Sequence, residues 1–338
     1  MKKSLVIVLI LSLVSMGFLF AQAQQEAAAG GWQPNKTITL IVPWGAGGAS
    51  DQTARIVAAN MEPLLNARIA VVNQPGASGA TGQKSAFDAP KDGYTWAGNA
   101  DASVATYQVQ ALTPEISHRD WQAYFAIFTP CVITVNPDSP IKDWASLVNA
   151  FKTRNVAVAS AGIGAGGHIA AETFAAQLGV KYNHVPYGGG NPAVVATVSG
   201  ETEVVMQLSM EVADMLRAGK LRAIAVMDSK PLNISGVAEI PAITSFQPGF
   251  PSVGFNFGLF IPKAIPADAA KAIASAFEKA AQTDQVKEFA ALKGSIPVAI
   301  DGEAADKIMD QAASMFGWLM YDAGVTKVDP STLGIKRL

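Results

Sequence analysis

Short apolar runs alternate with glycine-rich loops and amphipathic segments along most of the chain. Residues 37–44 (TITLIVPW) form an apolar run that predicts a strand, and the loop at residues 45–50 that follows is rich in glycine. Beyond this loop the apolar residues recur at helical spacing, and Ser50 or Asp51 is predicted to cap the helix. Strand, loop and helix repeat in this order, which favours a parallel α/β sheet.

The same order of elements restarts in the second half of the chain. A long apolar run at residues 125–135 predicts a strand that crosses between two lobes. It is followed by a predicted strand at 156–159, a glycine turn at 162–167 and a helix at 168–178. The run at residues 255–261 predicts a strand that returns to the first lobe. We therefore expect two α/β lobes, each with a glycine turn after its first strand.

The N-terminus has the three parts of a secretory signal peptide. Lys2 and Lys3 precede an apolar stretch at residues 5–20, and Ala21-Gln22-Ala23 supplies a small-x-small cleavage pattern. The alternative is a membrane anchor, but the stretch is short for a span of about 20 residues. We predict export to the periplasm with cleavage near Ala23.

These patterns give a division of the chain into segments. The C-terminal part at residues 284–321 is predicted to form two helices. The predicted segments are a signal peptide at 1–23, a disordered leader at 24–35, lobe 1 at 36–128 and 255–338, and lobe 2 at 129–254.

Composition and charge exclude several classes of protein. The chain is 50% hydrophobic and 15% charged, which is typical of a globular protein. With 25 basic and 27 acidic residues it lacks the basic excess of nucleic-acid-binding proteins. The single cysteine, Cys131, lies in an apolar run, so we expect a buried small hydrophobe and no intramolecular disulfide.

The turn at residues 161–168 (AGIGAGGH) matches the spacing G-x-G-x-x-G. Backbone N–H groups at such a helix start bind anions, and glycine lets a ligand approach them closely. A dinucleotide site also needs an acidic residue about 20 positions later, whereas residues 183–187 (NHVPY) contain none. The loop at 45–50 lacks the G-K-[ST] ending of a phosphate loop. We therefore expect an anion site without a nucleotide, a cofactor or a metal.

Two other functions stay open from the residues alone. Residues 76–80 (GASGA) nearly match the G-x-S-x-G turn of a serine hydrolase, with Ser78 as the nucleophile. The three histidines, His118, His168 and His184, all lie outside the C-terminal third, where that fold places its base. The second alternative is a binding protein for a neutral solute such as a sugar.

Several motifs resemble those of one family, the substrate-binding receptors of tripartite tricarboxylate transporters, also called Bug-type receptors. The resemblance covers Lys36 to Gly324. The matching motifs are TLIVPWGAGGASD at 39–51, VNQPGASG at 72–79, PKDGYT at 90–95, VPYGG at 185–189 and FGLFIP at 257–262.

The resemblance implies a two-lobed, type II periplasmic-binding-protein fold, an α/β clamp that closes on its ligand. It also implies a small carboxylate ligand, such as a di- or tricarboxylate, delivered to membrane permease subunits, with the receptor expected to be a monomer and not an enzyme. Ala165 stands where the family commonly has a hydroxyl, Gln74 where it has arginine and Gly188 where it has lysine. The ligand within the carboxylate class stays open.

The candidate ligand-binding residues fall into two sets. The first set offers backbone N–H groups from the two glycine turns: Gly45, Ala46, Gly47, Gly48, Ala49, Ser50, Gly164, Ala165, Gly166 and Gly167. The second set lies at strand ends or turns and offers side chains: Trp44, Asp51, Ser78, Asn99, Ser160, His168, Tyr187 and Gln207. Asp51 is expected to cap the first helix or to position a water or a ligand ammonium. His168 is expected to form local hydrogen bonds or to donate to the anion, and Trp44 to line the pocket or to pack over the end of the first strand.

Overall fold

The computed structural model describes residues 31–338. The predicted signal peptide and most of the predicted leader lie outside the described residues. At the described end of the leader, the Trp32 ring packs on Tyr94 with 5.2 Å between ring centroids. The Asn35 backbone N–H also donates to the Tyr94 hydroxyl, so this part of the leader contacts the first lobe.

Ten strands join into one sheet in the described part of the chain. The strands are β1 Ile38–Val42, β2 Ile69–Asn73, β3 Thr95–Ala100, β4 Trp121–Val135, β5 Ala157–Ser160, β6 Asn183–Pro186, β7 Val204–Leu208, β8 Arg222–Val226, β9 Gly254–Pro262 and β10 Ile296–Ile300. Their order across the sheet is β2-β1-β3-β9-β4-β7-β5-β6, with β8 and β10 also paired to β4.

Helices connect the strands, as the alternating pattern predicts. The helices are α1 Ala49–Leu65, α2 Ala80–Asp88, α3 Asp101–Thr106, α4 Trp144–Thr153, α5 Gly166–Leu178, α6 Gly190–Val198, α7 Ser209–Arg217, α8 Ala267–Ala281, α9 Asp284–Leu292 and α10 Gly302–Asp322. Short 3-10 turns lie at Ala77–Gly79, His118–Asp120, Ile243–Ser245 and Pro330–Leu333. Within residues 31–338, no helix combines the length and apolar character needed to cross a bilayer.

The long strand β4 connects the two halves of the sheet. Its first part pairs antiparallel with β9 and β10, and its last part, Cys131 to Val135, pairs with β7 and β8. The parallel strands β1, β2 and β3 lie on one side of this change, and β5, β6 and β7 on the other. The lobe boundaries near residues 128 and 254 stay a prediction, and the change of partners along β4 supports them.

Two predicted elements differ from the structure. The two helices predicted for residues 284–321 are interrupted by β10, which pairs with β4 between Phe125 and Phe128. Both helices are present as α9 and α10, and the strand between them was not predicted because a short strand depends on its pairing partner more than on local propensity. The helix predicted from residue 168 begins two residues earlier, at Gly166, so Gly166 and Gly167 belong to its first turn.

The cores of both halves consist of apolar strand residues covered by helices. Trp96, Phe125 and Phe174 are among the largest fully buried side chains. The Cys131 thiol is buried as expected, and burial raises its pKa well above the usual value.

A ligand-binding cleft between two helix N-termini

A small cavity lies where the two halves of the sheet face each other. Its volume is about 30 Å³, room for about two water molecules. Lobe 1 contributes the start of α1 and residues after β3, and lobe 2 contributes the starts of α5, α6 and α7. The lining residues are Trp44, Gly48, Ala49, Ser50, Ala100, Ser103, Ala161, Ala165, Gly166, Gly190, Gln207, Leu208, Glu211, Phe255 and Phe257.

On the lobe 1 side, α1 begins at Ala49 with Gly48 as its N-cap and no capping side chain of its own. The prediction that Ser50 or Asp51 caps this helix is therefore wrong. The Asp51 carboxylate instead accepts the Gly47 N–H at 2.9 Å and pairs with Arg55. Burial acts to raise the pKa of Asp51, but hydrogen bonds from Arg55, Gly47 and Asn73 outweigh it and hold the pKa below its usual value. Asp51 thus holds the backbone of the loop at residues 45–50 in place from a position off the cavity wall.

The missing cap of α1 is supplied by the opposite lobe. Glu211, in the first turn of α7, accepts the Ala49 N–H on its Oε1 atom at 2.8 Å. This bond ties the two lobes together and places a carboxylate at the positive end of α1. Burial raises the pKa of Glu211 to about 7, although the hydrogen bond from Ala49 acts in the opposite direction.

Two neighbours hold Glu211 in place. A Cβ on Gly190 would lie only 2.1 Å from Glu211 Oε2, so the carboxylate fits because this residue is glycine. The start of α7 is fixed by the Ser209 hydroxyl, which donates to the Gly294 carbonyl and lies 2.8 Å from the Thr129 hydroxyl.

On the lobe 2 side, the first turn of α5 opens on the cavity. Ala165 is its N-cap, with no capping side chain, and Gly166 lines the cavity wall. Among the described residues, the N–H groups of Gly166 and Gly167 have no hydrogen-bond partner. Gln207 is 1% exposed and lies against Gly167, where its Oε1 atom is also without a partner in residues 31–338.

The turn before α5 is fixed from behind by a pair of histidines. His168 Nδ1 accepts the Gly164 N–H at 3.1 Å, and the His168 ring stacks on His184 with 4.1 Å between centroids. His184 Nε2 lies 2.6 Å from Ser160 Oγ. Burial lowers the pKa of His184 to about 4, with a further contribution from His168. This contact between two histidines 16 positions apart was not predicted from the sequence.

Aromatic rings form part of the cavity wall. Trp44 lines the cavity and donates its indole N–H to Asn99 Oδ1 at 2.8 Å. Phe255 and Phe257, from the start of β9, lie on the same cavity. Asn99 is itself fully buried, and its amide nitrogen donates to Gln83 and to the Tyr107 hydroxyl.

Some of the predicted site residues line the cavity wall in the structure, and the others do not. Those on the wall are Trp44, Gly48, Ala49, Ser50, Ala165, Gly166 and Gln207. Those off the wall are Gly45, Ala46, Gly47, Asp51, Ser78, Asn99, Ser160, Gly164, Gly167, His168 and Tyr187. Several of the latter have local partners, as Tyr187 does in donating its hydroxyl hydrogen to Glu201.

Sequence reasoning missed Glu211, Gly190, Ser103 and the two phenylalanines. The only available signal for Glu211 was its place in the first turn of a helix after a strand, which is typical of many exposed acidic residues. Phe255 and Phe257 lie in the apolar run that predicted the returning strand, and nothing in that pattern indicated that they would also line the cavity.

Comparisons with known proteins agree with this architecture. The profile of the tripartite tricarboxylate transporter family receptor (TctC) matches residues 53–324. A UPF0065 protein from the tcbD-tcbE intergenic region of a Pseudomonas strain is 30% identical over 262 residues, covering 75% of this chain and 76% of that protein.

Solved structures share the fold. The periplasmic binding protein BugD has a TM-score of 0.80 and 23% identity, over 87% of this chain and 99% of that chain. MatC from Rhodopseudomonas palustris, with bound malate, has a TM-score of 0.77 and 22% identity, over 85% of this chain and 99% of that chain. The expected α/β periplasmic-binding-protein fold is therefore confirmed. The chain belongs to the tripartite tricarboxylate transporter receptor family, whose members are periplasmic solute-binding proteins and not enzymes.

Proposed function

We propose that this receptor binds a small organic carboxylate between its two lobes and delivers it to the permease subunits of a tripartite transporter. The observation that carries the proposal is the open first turn of α5. The N–H groups of Gly166 and Gly167 have no partner among the described residues, and Gly166 lies on the wall of the cavity between the lobes. Such a helix start binds a carboxylate without a basic side chain, because its N–H groups and dipole favour negative charge.

The surroundings of this helix start fit a small ligand. The cavity of about 30 Å³ is lined by residues of both lobes, and since it has room for only about two water molecules, the lobes must separate for a carboxylate to fit. A hinge motion along the strands that join the lobes, β4 and β9, supplies this opening. The malate of MatC, which shares the fold, supports a carboxylate as the ligand class.

The proposal includes the route of the ligand. The N-terminal segment predicts export and cleavage near Ala23, and the family is periplasmic, so the mature receptor would meet its ligand outside the inner membrane. We propose that the closed receptor docks as a monomer on its permease, and that this family's partner subunits accept the ligand there.

Thermal shift and calorimetry of the mature protein test the ligand class. Acetate, succinate, malate, citrate, benzoate and neutral sugars would each be added to the chain from residue 24 onward. A ligand that binds only the folded state stabilises it by about 2.7 kcal/mol when the ligand concentration is one hundred times Kd. This stabilisation raises the melting temperature. We expect a carboxylate to give this response, and a response to sugars alone would contradict the proposal.

One observation favours a second candidate, a neutral solute. Trp44, Phe255 and Phe257 give the cavity three aromatic side chains, and aromatic rings pack well on apolar ligand surfaces. The sugars in the same experiment test this candidate directly.

A further inference from the structure

The cavity wall carries one ionisable side chain among the described residues, that of Glu211. The other lining residues are apolar, glycine, serine or glutamine, so no lysine, arginine or histidine faces this carboxylate. A buried carboxylate without a cationic partner is costly, because the protein interior solvates charge poorly. The charge on Glu211 therefore needs a partner that the cavity wall does not provide.

One carboxylate oxygen of Glu211 accepts a hydrogen bond, and the other has no hydrogen-bond partner in the described part of the chain. Oε1 accepts the Ala49 N–H, whereas Oε2 is buried and has no hydrogen-bond partner within residues 31–338. The buried carboxylate of Asp101 shows the contrast. It accepts hydrogen bonds from the Asn256 backbone, the Asn256 side chain and the Ala102 backbone. Among the buried side-chain oxygens of residues 31–338, only those of Glu211 and Gln207 lack a partner, so the free oxygen of Glu211 stands out as a site for a donor.

A second free acceptor lies on the same cavity. Gln207 is 1% exposed, lines the cavity and has its Oε1 atom unpartnered among the described residues. It lies at the end of β7, one helical turn of sequence before Glu211 in α7. Two residues that line the cavity therefore carry an unpartnered acceptor, and Gly166 on the same cavity wall offers an unpartnered donor.

We propose that the ligand carries a protonated amino group as well as a carboxylate, and that Glu211 selects for the amino group. This inference rests on the proposed function, because the ligand carboxylate is assigned to the start of α5. The amino group donates to Glu211, which lies beside the start of α1. A dicarboxylate is disfavoured, since its second carboxylate would meet Glu211 at the start of α1.

The electrostatics of the site agree with this assignment. Burial raises the pKa of Glu211 to about 7, so near neutral pH the carboxylate is close to losing its charge. The nearby titratable group is Cys131 in β4, and burial raises the pKa of its thiol well above the usual value, so the thiol stays neutral. A ligand ammonium favours the ionised carboxylate and a ligand carboxylate favours the protonated form. The two ligand classes therefore have opposite pH dependence.

Calorimetry with matched ligand pairs tests the inference. β-Alanine and succinate, 4-aminobutyrate and glutarate, and 5-aminovalerate and adipate are pairs with the same methylene chain, in which a carboxylate replaces the terminal ammonium. Alanine and propionate add the α-amino case. At pH 8 we expect the amino member of at least one pair to bind tenfold more tightly or better, and Glu211→Gln to reduce that preference at least tenfold. The control variant Glu239→Gln changes an exposed carboxylate of the same lobe and should leave the preference unchanged.

A second measurement covers the case in which Glu211→Gln does not fold. The affinity of the unmodified receptor for an amino ligand should rise as the pH increases from 6 to 8. If the dicarboxylates bind as tightly as their amino counterparts and more tightly at lower pH, the inference is wrong and the proposed function stands. If no carboxylate-bearing compound binds, both are wrong.

Discussion

The two glycine-rich loops that face each other across the cavity begin helices in the same way, but their backbone donors differ in availability. At the start of α1, Glu211 of the other lobe accepts the Ala49 N–H. At the start of α5, the N–H groups of Gly166 and Gly167 have no partner in the described part of the chain. The first N–H of α1 is thus taken by the protein itself, and the first N–H of α5 is left for a ligand.

The residues behind each loop also differ. Asp51 and Arg55 form an ion pair behind the first loop, whereas His168 and His184 stack behind the second. Both arrangements hold the loop backbone through a side-chain acceptor, Asp51 for the Gly47 N–H and His168 for the Gly164 N–H. The comparison teaches that a glycine turn before a helix predicts an anion site only if nothing else in the fold already fills it.

The largest expected effect follows from blocking the free helix start. In Gly166→Val, the new side chain projects toward the Phe255 ring, since a Cβ at this position would lie 2.9 Å from it. We expect carboxylate affinity to fall about 100-fold or more, with a stability loss of about 1–3 kcal/mol for overpacking. Calorimetry and urea unfolding measure the two effects.

The matched control for this variant is Gly188→Val. A Cβ at Gly188 meets nothing within 4 Å, so we expect a change of less than threefold in affinity. Equal losses of binding in both variants would mean that the start of α5 is not the anion site.

A smaller effect is expected from disturbing the filled helix start. In Gly190→Ala the new methyl would overlap the Glu211 carboxylate, which moves away because it is the end of a flexible side chain. We expect ligand affinity to fall about tenfold while the melting temperature stays within 2–3 °C, because alanine favours the helix over glycine. Unchanged affinity would show that the position of Glu211 does not matter for binding.

The smallest expected effect concerns the side chains that hold the two loops in place. Their contributions to the free energy of unfolding depend on pH in different ways. The pKa of His184 is lowered to about 4, so the unfolded chain takes up its proton first, and the stability due to neutral His184 is lost as pH falls from about 6.5 to 4. Relative to the unmodified protein, His184→Gln should therefore gain about 1–2 kcal/mol between pH 7 and 4.5, after allowance for partial solvent exposure.

Asp51→Asn serves as the comparison for this experiment. Because the pKa of Asp51 lies below its usual value, its contribution is lost only below about pH 4, and the stability difference from the unmodified protein should be constant between pH 7 and 4.5. Urea unfolding at both pH values measures both differences. A constant difference for His184→Gln would contradict the role assigned to the histidine pair.

Much of the fold was predictable because it follows from local pattern. Apolar runs followed by glycine turns place β1 before α1 and β5 before α5, and both turns reach the cavity as expected. The strand β10 was not predictable, because it forms by pairing with β4. Within the candidate site, the backbone donors of Ala49 and Gly166 were named from the sequence, whereas Glu211 and Gly190 were not.

The sequence by itself determined that two strands of this α/β chain would each lead through a glycine turn into a helix. That follows from residues close together in the sequence, since glycine, strand and helix propensities act locally. Only the tertiary structure decided which first donor is free, because Glu211 reaches the Ala49 N–H across 162 positions of sequence when the lobes meet. A long-range contact, and not the turn sequence, therefore gives the first N–H of α1 to the protein and leaves that of α5 for a ligand.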